Sequence, residues 1–205
     1  MDDTILNGDL HYALRKAGVP TGTVDMEKLP ACVEGLGGIK NRLALQSTIK
    51  GLLASGTHVA ITSFSEDLAS IPYVLQQIGL SPQELAQIKI VSFYPSPADR
   101  AKDGKNNHIQ RAIDAFGDPT VKPEEVVLVD DNINNYELAK KHGYNVIWVQ
   151  GSEGRVDYLN ELRQMAGLSG VAASVAPIRP PEESFVKKLL NSIGLTDILQ
   201  GQAVR

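Results

Sequence analysis

Cysteine is almost missing from this chain: Cys32 stands alone among 205 residues. A single thiol excludes an intrachain disulfide and any multi-cysteine zinc site, and it fits a reducing compartment. It reads as a small, partly buried hydrophobe rather than as a nucleophile. Positive charge is also scarce. Twenty Lys and Arg face twenty-four Asp and Glu, leaving a net charge of −4 and a pI near 5.6, so there is no basic footprint for nucleic acid. Long apolar runs are missing too: no segment approaches the roughly 18 residues of a membrane span. The start, "MDDTILNGDLHYALRK", lacks a basic stretch followed by an apolar one. The expectation is a cytoplasmic protein that engages neither membrane nor nucleic acid.

What remains is a composition of 42% hydrophobic and 21% charged residues, that of a soluble globular chain long enough to bury one core. In "NGDLHYALRKAG", Leu10, Leu14 and Ala17 recur at helical spacing up to Gly18. The stretch "VPTGTVDMEKLPACVEGLGG" shows little periodicity, and Gly22, Pro30 and Gly37-Gly38 mark it as irregular. Ile39 to Ala54 carries Leu43, Leu45, Ile49, Leu52 and Leu53, a helix stopped by Ser55-Gly56. From there strands and helices alternate. "THVAIT", "IKIVSF", "VVLVD" and "YNVIWV" are short β-branched runs of the kind buried in a parallel sheet. Between them "EDLASIPYVLQQIG", "GKNNHIQRAIDAFG" and "NYELAKKHG" return to helical spacing.

This alternation predicts an α/β fold: a Rossmann-like parallel sheet sandwiched by helices, built from βαβ units. The expected organisation is one domain over 1–168, with 8–36 as a minimal cap, a small-residue and proline linker over 169–181, and a helical tail over 182–205. In the tail Phe185, Val186, Leu189, Leu190 and Ile193 share one helical face. That stripe predicts docking on the parent domain or on a protein partner, since Lys187 and Lys188 are too few for a membrane surface.

In an open parallel sheet, ligands bind outside the carboxyl ends of the strands, so polar residues there are the site candidates. Thr62 and Ser63 end "HVAITS", Lys105 opens the helix "GKNNHIQRAI", and Asp130 and Asp131 end "VVLVDD". Two adjacent carboxylates raise each other's pKa unless a cation or hydrogen bonds compensate. Two readings stay open for them: helix N-capping, for which Asn132 also competes, or metal and phosphate chemistry through a hard cation such as Mg²⁺. A strand-end hydroxyl, a lysine and an acid pair can together hold a phosphoryl group, the first two on its oxygens and the acids on Mg²⁺. His11, His58, His108 and His142 have no metal-ligand spacing and read as structural or surface residues. Phe93 and Tyr94 read as core, or as pocket lining.

The order of these marks resembles the haloacid dehalogenase-like hydrolase superfamily, in its Mg²⁺-dependent phosphatase branch. That family has an apolar strand ending Asp-x-Asp-x-Thr, a strand ending in Thr or Ser, a lysine, and a strand ending in two acids. "MDDTIL" matches the end of the first motif, "HVAITSF" the second, "DGKNNHI" the third and "VVLVDDNINNYELAKKHG" the fourth. The resemblance runs from Met1 to about Val149. It implies a phosphomonoester hydrolase acting through an aspartyl-phosphate on a phosphorylated small molecule or a phosphoprotein. By the same resemblance Asp2 is acid/base and adds its carbonyl to Mg²⁺, and Thr4 orients. Thr62, Ser63 and Lys105 bind phosphate, and Asp131 ligates Mg²⁺ with Asp130 in support.

The chain departs from the family at one point. With Asp2 as the second acid and Thr4 as the threonine, the first acid, the nucleophile, would stand immediately before Met1, and the central strand would precede it. The expectation is therefore that this 205-residue form is inactive, and that the family's central strand slot is empty or filled by another segment. A non-catalytic module binding phospho-ligands or a protein partner is the alternative.

Overall fold

The structure, a computed structural model, describes residues 1–149 and 157–168. The expected linker and tail helix lie outside the described residues. Along the chain come α1 (Leu10–Lys16), α2 (Leu29–Gly35), α3 (Arg42–Ala54), β1 (Ala60–Ser63), α4 (Ser70–Ile78), α5 (Pro82–Gln87) and β2 (Lys89–Ser92). They are followed by α6 (Pro97–Asp103), α7 (Asn106–Phe116), β3 (Val127–Asp130), α8 (Ile133–His142), β4 (Asn145–Trp148) and α9 (Asp157–Met165). The chain is mixed α/β with parallel strands, and all four apolar β-branched runs form strands. None of the described helices is long and apolar enough to cross a membrane.

Local chemistry accounts for the helix ends. Asp9 caps α1 by accepting from the Tyr12 N–H at 2.8 Å, and Arg15 and Lys16 sit in its last turn, where cations suit the helix dipole. Leu45, Thr48, Ile49 and Leu52 give α3 one buried stripe at i, i+3, i+4 and i+7. That helix starts at Arg42 rather than at Ile39, because Ile39 is taken by an antiparallel bridge to Leu6. Helix α2 falls inside the stretch expected to be irregular. Its Pro30 stands in the first turn, where no N–H is needed, and Leu29, Cys32 and Val33 are buried beyond it.

The strands do not form one sheet. β1 pairs in parallel with β2, from Ala60 opposite Lys89 to Ser63 opposite Ser92. β3 pairs in parallel with β4, from Val127 opposite Asn145 to Asp130 opposite Trp148. No described strand joins the two pairs. Helix α7 packs on β1 and β2, α8 on β3 and β4, and α9 on β4 and α3. The core is divided accordingly. A large cluster runs from Leu6, Leu10 and Leu29 through Ile71, Leu75 and Ile78 to Leu159, while Ile109, Leu128, Ala139 and Tyr144 form a separate one. Residues 8–36 share the large cluster through Leu10, Leu14, Leu29 and Val33, so the expected cap region is packed into the core. Asp67, 1% exposed, adds a tether by accepting from Arg15 at 3.0 Å and pairing with His11 at 2.9 Å.

His108, on α7, is fully buried between the two strand ends that precede it. It stacks on Phe93 with ring centroids 3.8 Å apart, meets Phe64 edge-on, and its Nε2 lies 3.1 Å from the Phe93 carbonyl. Burial pushes its pKa down from 6.5 to about 4, so the folded chain holds it neutral. The unfolded chain takes up a proton below pH 6.5 that the folded chain refuses until about pH 4. Stability from this site is complete above pH 6.5 and is lost as pH falls between those values. The expected loss between pH 7 and pH 4 is roughly 3 kcal/mol. Urea titrations of wild type and His108→Gln at both pH values check this: the variant, less stable at pH 7, should lose less on acidification. An equal loss in both chains would contradict it.

Candidate phosphoryl site at the strand ends

The carboxyl ends of β1 and β3 meet at a lysine. Lys105 stands just before α7 and is 5% exposed. Its Nζ donates to the Thr62 carbonyl at 2.5 Å and lies 3.6 Å from Asp130 Oδ2. Burial pulls the lysine pKa down, and Asp130 and Asp131 pull it back up. Gly104 allows the approach. It takes a φ of +52°, and a Cβ there would come within 3.1 Å of Asn135 Oδ1 and 3.2 Å of Leu138.

The two acids have different surroundings. Asp130 is buried and saturated: Oδ1 accepts from the Asn132 N–H and from Asn135 Nδ2, both at 2.9 Å, and Oδ2 faces the lysine. Neither acid caps α8. Asn132 does, accepting from the N–H groups of Asn134 at 2.9 Å and Asn135 at 3.3 Å, which decides the capping alternative against both carboxylates. Asp131 is half-buried. Its Oδ1 accepts from Thr4 Oγ1 at 2.6 Å, and its carbonyl accepts from Trp148 Nε1 at 3.0 Å.

The first loop completes the group. Asp2 Oδ1 accepts from the Leu10 N–H at 3.0 Å, and burial raises its carboxyl pKa. Tyr158 of α9 reaches the Thr4 carbonyl at 3.5 Å, and burial pushes its phenol up to about 12. Lys40, also buried, donates to the Asp3 carbonyl. Asp2, Thr4, Lys105, Asp130 and Asp131 thus come together, with Thr62 contributing its carbonyl. The Thr62 hydroxyl has no hydrogen bond among the described residues. Ser63 is 2% exposed, and its Oγ accepts from the Ser65 N–H at 3.0 Å, so it shapes the turn beyond the strand.

Among the described residues no group of three or more His, Cys, Asp or Glu is arranged to hold a metal. Asp130 has its oxygens committed, and the Asp2 carbonyl already accepts from the Thr4 N–H at 2.6 Å. Asp131 keeps one carboxylate oxygen free. Mg²⁺ binds through one or two carboxylates with waters or phosphate oxygens making up the rest. This donor set fits such an ion only weakly.

Asn132, Asn135, Lys40 and Tyr158 were not legible as members of the site. The asparagines carry the one usable signal, two amide side chains within five residues of an acid at a strand end. Lys40 and Tyr158 reach the site only through tertiary packing. No family model, curated protein or solved structure matches this chain.

Removing one partner from a buried ion pair leaves the other charge uncompensated, at about 3–5 kcal/mol. Asp130→Ala should therefore destabilise the chain by that order. Lys105→Met with Asp130→Leu should cost clearly less than the sum of the single changes, because the pair acts as a unit. Chemical denaturation of the four chains of this cycle measures the coupling, and strict additivity would show that the two groups are independent.

Proposed function

We propose that the chain belongs to a Mg²⁺-dependent phosphomonoester hydrolase with the Rossmann-like architecture of the haloacid dehalogenase-like superfamily. The observation that carries this reading is Lys105, buried across the ends of β1 and β3 beside the paired Thr4 and Asp131. An ammonium fixed there offsets charge that accumulates on phosphoryl oxygens in the transition state, and the free Thr62 hydroxyl is a second donor to them. Asp2, whose carboxyl burial keeps toward its protonated form, suits a general acid for the leaving oxygen. Mg²⁺, when bound, would neutralise phosphate charge, with Asp131 as its protein carboxylate.

In the family that the chain resembles, the attacking oxygen belongs to the first acid of the Asp-x-Asp-x-Thr motif, which the 205 residues do not include. That carboxylate attacks phosphorus, the bond to the leaving oxygen breaks, and Asp2 protonates that oxygen; water then hydrolyses the aspartyl-phosphate. The substrate class is a phosphorylated small molecule or a phosphoprotein. A non-catalytic binding module is the second reading, favoured by the Asp2 side chain being held by the Leu10 N–H.

The 205-residue chain should show negligible hydrolysis of an aryl phosphate and weak Mg²⁺ binding by calorimetry, and Asp131→Asn should abolish that binding. A chain extended upstream by an apolar strand ending in Asp should gain Mg²⁺-dependent turnover. Robust turnover by the unextended chain would show that another acid attacks. Inactivity of a folded, extended, metal-loaded chain would select the binding module.

A further inference from the structure

Arg100, on α6, stands over the ring of Tyr94, with Cζ 4.4 Å from the ring centre. Tyr94 follows the end of β2 by two residues and is 52% exposed, so the pair is open to solvent. Two acids flank the arginine on the same helix, and neither pairs with it. Asp99 accepts from the Ser96 hydroxyl at 2.6 Å, and Asp103 accepts from Asn107 Nδ2 at 3.3 Å. The Arg100 guanidinium has no hydrogen bond or ion pair among the described residues, and its Nε is buried without an acceptor. In a chain of net charge −4 this is not for want of carboxylates; Arg15, by contrast, is tied to Asp67 at 3.0 Å. Stacking on a ring face occupies the plane of the guanidinium and leaves the Nη donors at its edge, the fork that matches a phosphate.

The arginine is held beside the phosphoryl site. Its carbonyl accepts from the Gly104 N–H at 3.0 Å and from Asn134 Nδ2 at 3.3 Å. One helical turn, about 6 Å, therefore separates it from the glycine that leads into Lys105. Asn134 stands in the first turn of α8, next to the Asn135 that holds Asp130. We infer that Arg100 and Tyr94 form a second anion subsite, so that the ligand is a small phosphomonoester carrying a further phosphate. The first phosphoryl group lies on Lys105 and the Thr62 hydroxyl, and the second on the Arg100 fork. This inference rests on the phosphoryl site of the proposed function and names the ligand class for it. Asp130 and Asp131 repel an anion at the first position, and a second fixed cation offsets that repulsion for a ligand that reaches both. Once one phosphate is bound, the other contact is intramolecular. Tyr94 holds the guanidinium in place, so less side-chain freedom is lost when the ligand binds.

The test is calorimetric titration of the 205-residue chain, at one fixed Mg²⁺ concentration, with straight-chain alkanediol bisphosphates of increasing length and with an alkyl monophosphate. At least one bisphosphate should bind tenfold or more tighter than the monophosphate. Arg100→Gln should bring that bisphosphate to the affinity of the monophosphate and leave the monophosphate unchanged. Tyr94→Phe keeps the ring and should keep the preference, whereas Tyr94→Ala should weaken the bisphosphate at least threefold. Because α6 buries no residue and Tyr94 is exposed, these variants leave the core intact, which equal Tm values verify. No preference at any length, or a preference that Arg100→Gln leaves in place, overturns the inference. Lys105→Met, or Thr62→Val where the lysine variant does not fold, separates this failure from failure of the phosphoryl site. Monophosphate binding that these variants weaken, with no gain for any bisphosphate, removes the second subsite alone. Absence of binding of either ligand by the folded chain removes both.

Discussion

A buried backbone N–H or C=O without a partner costs free energy comparable to a lost hydrogen bond, and this requirement organises the interior of the chain. Among the described residues, β1 and β3 each satisfy it on one edge only. Their other edges face each other across a cavity, and the core is split into two clusters along the same line. Val127 and Val129, in a strand that would be buried on both faces of a continuous sheet, are only half-buried here. Helices α7 and α8 pack on the two strand pairs, and α9 bridges β4 and α3.

Lys105 is the connection between the two strand pairs at their carboxyl ends. It accepts a high desolvation cost to reach both the Thr62 carbonyl and Asp130, and Asn132 and Asn135 hold Asp130 still for it. The adjacent carboxylates are tolerable because they are divided between tasks. Asp130 faces inward to the lysine and Asp131 outward to the Thr4 hydroxyl. One group of contacts therefore serves stability and leaves one Asp131 carboxylate oxygen and the Thr62 hydroxyl without a hydrogen bond among the described residues.

Much of this is legible in the sequence where side-chain pattern and backbone need coincide. The four β-branched runs are strands, and Gly79, Gly117 and Gly143 end their helices with left-handed φ values, as stop signals should. Helix α2 was hidden by proline, which breaks a helix in its interior but is neutral in the first turn, where Pro30 stands. The strand-end residues Asp130, Asp131 and Lys105 were legible because position in an α/β fold brings such residues together. Tyr158, Lys40 and the tether of Asp67 to His11 and Arg15 depend on packing between distant segments, for which local pattern carries no signal. The alternation of strands and helices predicts one parallel sheet, and the division into two strand pairs comes only from the structure.

Amide hydrogen exchange on the isolated 205-residue chain, resolved residue by residue, tests the open strand layer most directly. Ile61, Ser63, Leu128 and Asp130, which pair with β2 and β4, should exchange slowly, while Ala60, Thr62, Val127 and Val129 exchange fast, so that protection alternates along both strands. Uniform protection of all eight amides would mean that the cavity is already filled, and the two strands would not be the free edges described.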